Sequence, residues 1–481
     1  MAKHLRGATA TETHSAIVDL IRSSGVVSRI ELADRSGLTG ASISRIVKQL
    51  LNDGLVAEVG LGDKTGGKRR TLLQLNASAR HAVGVSLDFA RITYLVTDLS
   101  GAVVSRHDAE GIGHVSPGAV MSRVAQEVAD LVGAAGVTWA SLMGIGMAVS
   151  GRQDMSHHVL RSNSKATEWE LFDIEGTLGA AAGLPVMVAN DSMCAAIGEF
   201  WVGRIPASAD FATVYMATGI GLGLVAGGDY YRGSSSNVGE IGHMVLDVNG
   251  PPCWCGSRGC LEMMAAPKRV VDQALRWPGL VDELGLSGRR GTVREDFALI
   301  AQAAVAGHDQ ALPVIEESAF YLSKALVSVT NLLDLDQIIL AGPGFSVAGG
   351  IYLRQASQDL EQLPRARDVH ATNVSLSKTS DISAALGAAS IVLHSRLTPH
   401  QTSTRFARSA GVRATAAIPP SSTKGPGPWP SKDVLEPPAG LLDRVGVSRV
   451  VGSTGLEVEP VVAGGEQGGQ ASKQVLGQVR G

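Results

Sequence analysis

The sequence predicts an α/β body with a ligand cleft between two lobes, preceded by a small α+β head with a winged helix-turn-helix layout. Two observations lead to this fold class. From about residue 81, apolar strands alternate with helices, and each half of the body opens with a strand hairpin. Within the first 78 residues, two short helices, a tight glycine turn and a third helix precede another hairpin.

The elements of the head follow from periodicity and capping residues. Apolar residues at helical spacing predict a first helix that ends near Gly25 and a second that Ser28 caps. After the glycine turn, Thr39 can cap a third helix with an apolar inner face. Residues 55–59 and 71–75 then read as two strands that form the wing.

The charge of the head favours contact with DNA. Residues 1–80 hold 12 Lys and Arg against 7 Asp and Glu, whereas the rest of the chain is acidic. Hydroxyls and cations on the third helix suit base edges and phosphates in a major groove, and the cationic wing tip suits the backbone or a minor groove. The predicted DNA contacts are Ser42, Ser44, Arg45, Lys48, Lys68, Arg69 and Arg70. The alternative is a winged helix that binds only other proteins.

The overall composition excludes several classes of protein. The 481 residues carry 42 Lys and Arg and 45 Asp and Glu, and this net charge of −3 excludes a uniformly basic nucleic-acid coat. Four cysteines are too few for a disulfide framework, and no apolar run reaches the roughly 18 residues that cross a bilayer. The N-terminus also lacks the apolar centre of a signal peptide. We therefore expect a soluble cytoplasmic protein.

A carboxylate follows a predicted strand of the body, residues 79–396, in the stretch Asn190-Asp191-Ser192. Open α/β sheets place ligands at the carboxyl ends of their strands, so Asp191 could accept a proton from a substrate hydroxyl. The alternative is that Asp191 only caps the helix that begins there. Glycine-rich turns at 219–223 and 342–344 could cradle a phosphate, although such turns are common.

A cluster of metal-binding residue types follows in the second half of the body. Cys253, Cys255 and Cys260 lie within eight residues, ten positions after His243. One imidazole and three thiolates complete a tetrahedral shell without an open position, which is typical of structural zinc. The alternative is a set of reduced thiols. The fourth cysteine, Cys194, is expected in the core.

Two carboxylates flank this cysteine loop, which we define as residues 253–260. Glu240 lies three residues before His243, and Glu262 lies two residues after the last cysteine. If His243 binds zinc through one ring nitrogen, the other nitrogen can donate to a ligand. Carboxylates and an imidazole around one cleft suit a neutral polyol better than an anion.

These motifs resemble the ROK family of repressors, open reading frames and sugar kinases. The resemblance covers roughly residues 12–395 and rests on four motifs: Asn190-Asp191, Gly219-Ile220-Gly221, Glu240-x-Gly-His243 and Cys-x-Cys-Gly-x-x-Gly-Cys-x-Glu. It implies an actin-like (ribonuclease H-like) two-lobed sugar-kinase fold with a structural zinc. The head is similar to that of the branch that contains xylose and N-acetylglucosamine repressors. The sugar-binding residues that the resemblance implies are Asn163, Asn190, Asp191, Glu240, His243 and Glu262.

One departure from the family pattern distinguishes a protein that senses a sugar from a kinase that phosphorylates it. Family kinases carry Asp-x-Gly-Gly-Thr after the first strand, whereas this chain has Ser86-Leu87-Asp88-Phe89-Ala90. Asp88 is expected to repel a triphosphate and Phe89 to fill its space. The sequence therefore predicts a sugar-responsive DNA-binding regulator, specifically a homodimeric repressor that a sugar releases from its operator, with no catalytic residue.

Two alternatives stay open at this point. An ATP-dependent, glucokinase-like sugar kinase with a DNA-binding head would use Asp191 as the base that activates the sugar hydroxyl. The other alternative is a regulator that responds to a phosphorylated sugar or to a protein partner.

The last part of the chain, residues 397–481, differs in composition from the rest. The final 84 residues hold 9 of the 19 prolines and only two aromatic residues, Phe406 and Trp429. Such a segment cannot bury a core, so we expect it to be disordered. No function is assigned to it.

Overall fold

The structure is a computed structural model that describes residues 10–62, 69–154, 159–161, 168–169, 172–203, 205–206 and 208–397. These residues belong to one structural unit, Met1–Arg413. The predicted disordered segment lies outside the described residues except for Leu397. Among the helices in the described part of the chain, none has the length and apolar character needed to cross a membrane.

The head contains three helices and a three-stranded antiparallel sheet. In chain order its elements are α1 (Ala10–Ser24), β1 (Val27–Ser28), α2 (Arg29–Ser36), α3 (Gly40–Asn52), β2 (Val56–Leu61) and β3 (Thr71–Leu75). Strand β3 lies between β1 and β2, and β2 with β3 forms the predicted wing hairpin. The winged helix-turn-helix layout is confirmed.

Local capping explains where the helices of the head begin. The Ser28 hydroxyl accepts a hydrogen bond from the Glu31 amide, and the Glu31 carboxylate accepts one from the Ser28 amide at 2.8 Å. This reciprocal pair is a capping box. Thr39 caps α3 by accepting a hydrogen bond from the Ser42 amide at 3.2 Å. Both predicted caps are confirmed.

The first lobe of the body is built on a five-stranded sheet. Its elements are β4 (His81–Leu87), β5 (Arg91–Asp98), β6 (Val103–Glu110), α4 (Pro117–Ala134), β7 (Leu142–Val149), β8 (Arg152–Asp154), β9 (Val159–Arg161), α5 (Ile174–Ala182), β10 (Val186–Asn190) and α6 (Asp191–Val202). The sheet order is β6-β5-β4-β7-β10. Strands β4, β5 and β6 form an antiparallel meander, and β7 and β10 continue the sheet in parallel.

The second lobe repeats this topology. Its elements are β11 (Phe211–Met216), β12 (Ile220–Ala226), β13 (Asp229–Tyr230), α7 (Leu261–Ala265), α8 (Pro267–Ala274), α9 (Pro278–Leu284), α10 (Val293–Val305), α11 (Ala311–Leu333), β14 (Gln337–Ala341), α12 (Gly349–Gln362), β15 (Asn373–Leu376) and α13 (Ser383–Leu397). The sheet order is β13-β12-β11-β14-β15, again an antiparallel meander extended by two parallel strands. This duplicated topology confirms the predicted actin-like fold.

Helices α6 and α13 join the two lobes. Helix α13 packs on β4 and β7 of the first sheet and on α6, while α6 also packs on β11 and β12 of the second. A Cβ atom at Gly146 would lie 1.8 Å from the Ala388 carbonyl, and one at Gly387 would lie 1.6 Å from the Cys194 carbonyl. Only glycine allows such close backbone contact. Cys194 is fully buried at this junction, as predicted.

The first helix of the head packs directly on the two joining helices. Ile17 and Ile21 share one buried apolar cluster with Trp201 of α6 and Leu393 of α13. The core of the head is therefore continuous with the core of the body, a feature that the sequence did not predict.

Candidate functional site

The carboxyl ends of three parallel strands meet at one edge of the first sheet. Leu87 of β4 and Asn190 of β10 both pair with Val149 of β7. The residues that follow these strands, including Asp88 and Asp191, therefore emerge side by side. Open α/β sheets bind ligands at this edge.

A cleft with about 590 Å³ of empty space, part of it open to solvent, lies between this edge and the second lobe. Five of the six residues predicted to bind sugar line it, namely Asn190, Asp191, Glu240, His243 and Glu262. The sixth, Asn163, lies outside the described residues. The sequence analysis did not select the other lining side chains, which include Ser150, Tyr215 and Thr218. Ser150 directly follows a predicted strand, and this position could have indicated it.

Asn190 supplies the cap of α6 at the cleft. Its side-chain oxygen accepts hydrogen bonds from the Ser192 amide at 2.9 Å and from the Met193 amide at 3.5 Å. Its side-chain nitrogen donates to the Gly151 carbonyl at 3.1 Å, which fixes the orientation of the amide. Asp191 also accepts from the Ser192 amide, at 2.8 Å. Capping is therefore mainly the role of Asn190.

The acidity of Asp191 is strongly perturbed. Burial raises the pKa of this carboxyl group to about 7, and the charges of Asp88 and Glu240 add to the shift, while the Ser192 amide opposes it. Asp191 therefore titrates near neutral pH, where it can accept or donate a hydrogen bond to a ligand hydroxyl.

Side chains pack closely against the glycines of the turn at the cleft. A Cβ atom at Gly219 would lie 2.8 Å from Glu262 Oε2, and one at Gly221 would lie 2.9 Å from Ser192 Cβ. Further along the chain, Gly344 faces the Met216 side chain, which a Cβ atom would approach to 2.6 Å. Gly221 therefore has no room for a side chain, because Ser192 Cβ is attached directly to the backbone of α6, whereas Glu262 Oε2 is the end of a flexible side chain.

The segment that replaces the kinase phosphate loop is a tight turn between β4 and β5. Asp88 lines the cleft. The Phe89 ring instead packs edge-on against His114, with 5.4 Å between ring centroids, and it is 36% exposed. Phe89 is absent from the cleft lining. A Cβ atom at Gly291, in the second lobe, would lie 3.8 Å from the Phe89 ring. That Phe89 fills the nucleotide space stays a prediction.

The predicted metal ligands converge. The donor atoms of His243, Cys253, Cys255 and Cys260 all lie within 4.8 Å of one another. His243 Nδ1 is 3.6 Å from Cys253 Sγ, and Cys255 Sγ is 3.7 Å from Cys260 Sγ. Tetrahedral zinc requires edges of about 3.5 Å between nitrogen and sulfur and about 3.8 Å between sulfurs. The cluster can therefore hold a metal ion of this size.

The cysteine loop connects the two segments that carry the cleft carboxylates. A 3₁₀ turn, Ile241–His243, directly follows Glu240, and Cys260 directly precedes α7, which contains Glu262. The Leu261 amide donates to the Met244 carbonyl at 2.8 Å, which joins the segments independently of a metal. Gly259 has a φ of +62°, and a Cβ there would lie 1.6 Å from the Asp247 carbonyl, so this position of the loop requires glycine.

Trp254 also contributes to this region, and the sequence analysis missed it. Its indole nitrogen donates to Glu262 Oε1 at 2.9 Å, and its ring packs edge-on against His243 with centroids 4.7 Å apart. Its position between two predicted metal ligands was the available signal. Trp254 orients Glu262 toward the cleft.

The described part of the head presents several of the predicted DNA contacts. Ser44, Arg45, Lys48 and Arg69 are exposed, and Ser42 and Arg70 are half-buried. The Ser42 hydroxyl lies 3.0 Å from the capping hydroxyl of Thr39, so it also supports the start of α3. Lys68 lies outside the described residues.

Sequence comparison identifies relatives of both parts of the chain. Residues 82–395 match the model of the ROK family, and residues 11–57 match a family model described as winged helix-turn-helix DNA-binding. The chain is 27% identical over 317 residues to the xylose repressor of Bacillus subtilis (strain 168), covering 65% of this chain and 77% of the relative. It is 28% identical over 341 residues to the N-acetylglucosamine repressor of Escherichia coli O157:H7, covering 68% and 79%.

A solved structure shows the same fold. It is a ROK family transcriptional regulator described as a homologue of the E. coli MLC protein, with a TM-score of 0.61 at 22% identity. The similarity covers 81% of this chain and 98% of that one. Together with the family match over well over half of the residues, the duplicated sheets and the cysteine loop lead to one conclusion: the chain belongs to the ROK family.

Proposed function

We propose that this protein is a cytoplasmic, sugar-responsive transcriptional repressor whose head binds an operator within a homodimer and releases it when a sugar enters the cleft. The domains would be residues 1–78, 79–396 and 397–481. The relatives are named as xylose and N-acetylglucosamine repressors. These names support both a sugar effector and binding to DNA. One observation carries the proposal: helix α6 begins at the cleft and ends against the head.

The contact between α6 and the head is polar as well as apolar. Arg22 of α1 donates to the carbonyls of Phe200 and Trp201 at 2.9 and 2.8 Å. These are last-turn carbonyls of α6, where a cation is favourable. The guanidinium also lies 4.5 Å from the centroid of the Phe200 ring, and Asp19 pairs with it at 2.7 Å. Arg22 is 4% exposed, so this ion pair is held in place.

A second contact ties the head to α13. The Ser15 hydroxyl of α1 donates to the Leu397 carbonyl at 2.9 Å in a buried position. Helices α6 and α13 touch at Gly387, so they would move together. Over 12 residues, α6 spans about 18 Å. A sugar that shifts the cleft end of α6 would therefore shift α1 and change the DNA-competent population.

The proposed sugar contacts are Asn190, Asp191, Glu240, His243 and Glu262, with Asn163 as a further candidate. Carboxylates accept hydrogen bonds from ring hydroxyls, and a histidine that binds zinc through Nδ1 keeps Nε2 free to donate. We propose that the ion held by His243, Cys253, Cys255 and Cys260 is structural zinc, because the shell has no open position. Its role would be to hold the segments of Glu240 and Glu262 together.

A kinase is the second candidate function, and the position of Asp191 in the cleft favours it. Asp88 argues against it, because its carboxylate lines the cleft where a triphosphate would add negative charge. We therefore propose that the protein has no catalytic residue and senses the sugar without phosphorylating it.

The test uses the full-length protein and DNA fragments that it enriches from a random-sequence library. Binding is measured with xylose, glucose and N-acetylglucosamine, each with and without Mg-ATP. We expect one sugar to release the DNA to the same extent with and without ATP. Appearance of a sugar phosphate in the ATP samples would favour the kinase, and the absence of any enriched DNA would exclude the repressor.

The exposed cations of α3 provide a prediction for DNA binding. Lys48→Ala is expected to weaken binding of the enriched fragment about tenfold and to lower the salt slope by about one unit, since one phosphate contact is lost. Fluorescence anisotropy at several salt concentrations measures both. Lys268→Ala, on α8 of the body, is the control. Unchanged affinity and an unchanged salt slope in Lys48→Ala would remove Lys48 from the predicted DNA contacts.

The raised pKa of Asp191 predicts a pH dependence of stability. Between about pH 4 and pH 7 the folded protein retains a proton on Asp191 that the unfolded chain has released, so the free energy of unfolding falls as the pH rises. Asp191→Asn removes this penalty. We expect the variant to melt above the wild type at pH 8, with the difference shrinking toward pH 4, and to lose sugar-dependent release. A melting difference that is independent of pH would contradict this assignment.

A further inference from the structure

We propose that the cleft accepts the unphosphorylated form of its sugar and rejects the phosphate ester, with Asp88 as the specificity-determining residue. This inference rests on the proposed function, and it names the chemical form of the effector. Four carboxylates line the cleft, from Asp88, Asp191, Glu240 and Glu262, and among the described residues that line it there is no lysine or arginine.

Two arginines whose charges reach groups of the cleft lie outside its lining. Arg152 influences Glu240, and Arg294 influences Tyr215, but neither lines the cleft. The metal site would not help either, because three thiolates outweigh the charge of one divalent ion. A phosphate in the cleft would therefore face several carboxylates, and the described lining residues offer it no lysine or arginine.

The helix terminus at the cleft is already satisfied. A free helix N-terminus binds phosphate through its exposed amides. In α6, however, the Ser192 amide donates to the side chains of Asn190 and Asp191, and the Met193 amide donates to Asn190. The side-chain oxygens of Asn190 and Asp191 thus occupy the position that a bound anion would take, and the Asp191 oxygen belongs to a carboxyl group.

The glycine turn is closed to an anion for a similar reason. Glu262 Oε2 lies 2.8 Å from the position of a Cβ atom at Gly219. Trp254 holds this carboxylate in place through its hydrogen bond to Oε1. A phosphate that approached the turn would therefore meet a fixed negative charge.

Asp88 completes the barrier because its turn is held on both sides. The Asp88 carbonyl accepts a hydrogen bond from the Ile112 amide at 3.1 Å, and its carboxylate accepts one from the Ala90 amide at 3.2 Å. A Cβ atom at Gly111 would lie 2.1 Å from the Phe89 carbonyl, so the neighbouring segment packs tightly on the turn. Asp88 cannot leave the cleft without breaking these contacts.

A place in a reaction sequence follows from this selectivity. Phosphotransfer to the sugar adds negative charge and would convert the effector into a form that the cleft rejects. The protein would therefore respond to the concentration of free sugar before it is phosphorylated. A phosphotransfer reaction that consumes the free sugar would end the release of DNA.

The experiment compares free sugars with their esters on the full-length protein. Calorimetric titration and DNA release are measured for glucose and N-acetylglucosamine against their 6-phosphates, and for xylose against xylose 5-phosphate. Like charges in close contact disfavour binding strongly, so we expect the ester of the active sugar to bind at least about 100-fold more weakly. An ester that binds as tightly as the free sugar, or more tightly, would overturn the inference and leave the repressor intact.

Two variants isolate the role of Asp88. In Asp88→Asn and Asp88→Gly, we expect the ratio of ester to free-sugar dissociation constants to fall about tenfold or more, because one repulsive charge is removed. Asp130→Asn, on α4 away from the cleft, should keep the wild-type ratio. An unchanged ratio in both Asp88 variants would remove Asp88 from the proposal. Failure of every sugar and every ester to release bound DNA would instead overturn the proposed function.

Discussion

Cys260→Ser is expected to purify without zinc, to melt roughly 5–10 °C below the wild type, and to lose sugar-dependent release of DNA. A hydroxyl is a poor zinc ligand, and the three donors that remain cannot complete the tetrahedron. Cys260 is fully buried next to α7, so the change also removes the link through the metal between the segments of Glu240 and Glu262. Metal analysis, thermal unfolding and DNA release measure the three effects.

Cys194→Ala is the matched control for this experiment. Cys194 is fully buried between α6 and α13 and belongs to another apolar cluster. Its replacement creates a small cavity and lowers stability, but it should leave one zinc ion per chain. A Cys260→Ser protein that retains one zinc ion and responds normally to sugar would contradict the structural role of the metal.

Arg22→Met is expected to separate DNA binding from its control by sugar. The change keeps an unbranched apolar side chain against Phe200, but it leaves two α6 carbonyls and Asp19 without their buried partner. Loss of one partner from such a network costs about 3 kcal/mol or more, so the variant should also melt earlier. The binding constants of DNA and sugar, measured separately, should change less than their coupling.

The coupling itself is the readout that distinguishes this role from simple destabilisation. DNA affinity is measured with and without saturating sugar, and we expect the ratio to approach one in Arg22→Met. Arg35→Met is the control, because Arg35 is exposed and bonds to Ser24 within the head, at 2.8 Å. A normal ratio in Arg22→Met would exclude α6 as the connection between the cleft and the head.

Local sequence patterns predicted most of the fold. The alternation of apolar strands with helices that is predicted from about residue 81 is present, and strands such as Leu142–Val149 and Phe211–Met216 are buried along their length, which requires a nearly continuous apolar run. Helix α13 was missed. Both of its faces are apolar, since it lies between α6 and the first sheet, and a helix buried on all sides has no amphipathic period.

The candidate site was also predictable from the sequence only in part. His243 and Cys260 are only 17 positions apart, so the spacing alone indicated a shared metal site. Asp88, Asp191 and Glu240 come from distant parts of the chain, and only the resemblance to a family linked two of them before the structure placed all three in one cleft. The position of the Phe89 ring likewise depends on a tertiary contact, with His114.

The sequence by itself determined the helix caps, the strand runs, the metal-ligand set and the departure of residues 86–90 from the kinase pattern. Each of these depends on residues that are close along the chain, where spacing limits geometry directly. Only the tertiary structure decided that Asp88 joins the carboxylates of the cleft and that Arg22 contacts carbonyls 178 and 179 positions away. Contacts of that kind depend on how the sheets and helices pack, and packing is a property of the whole fold.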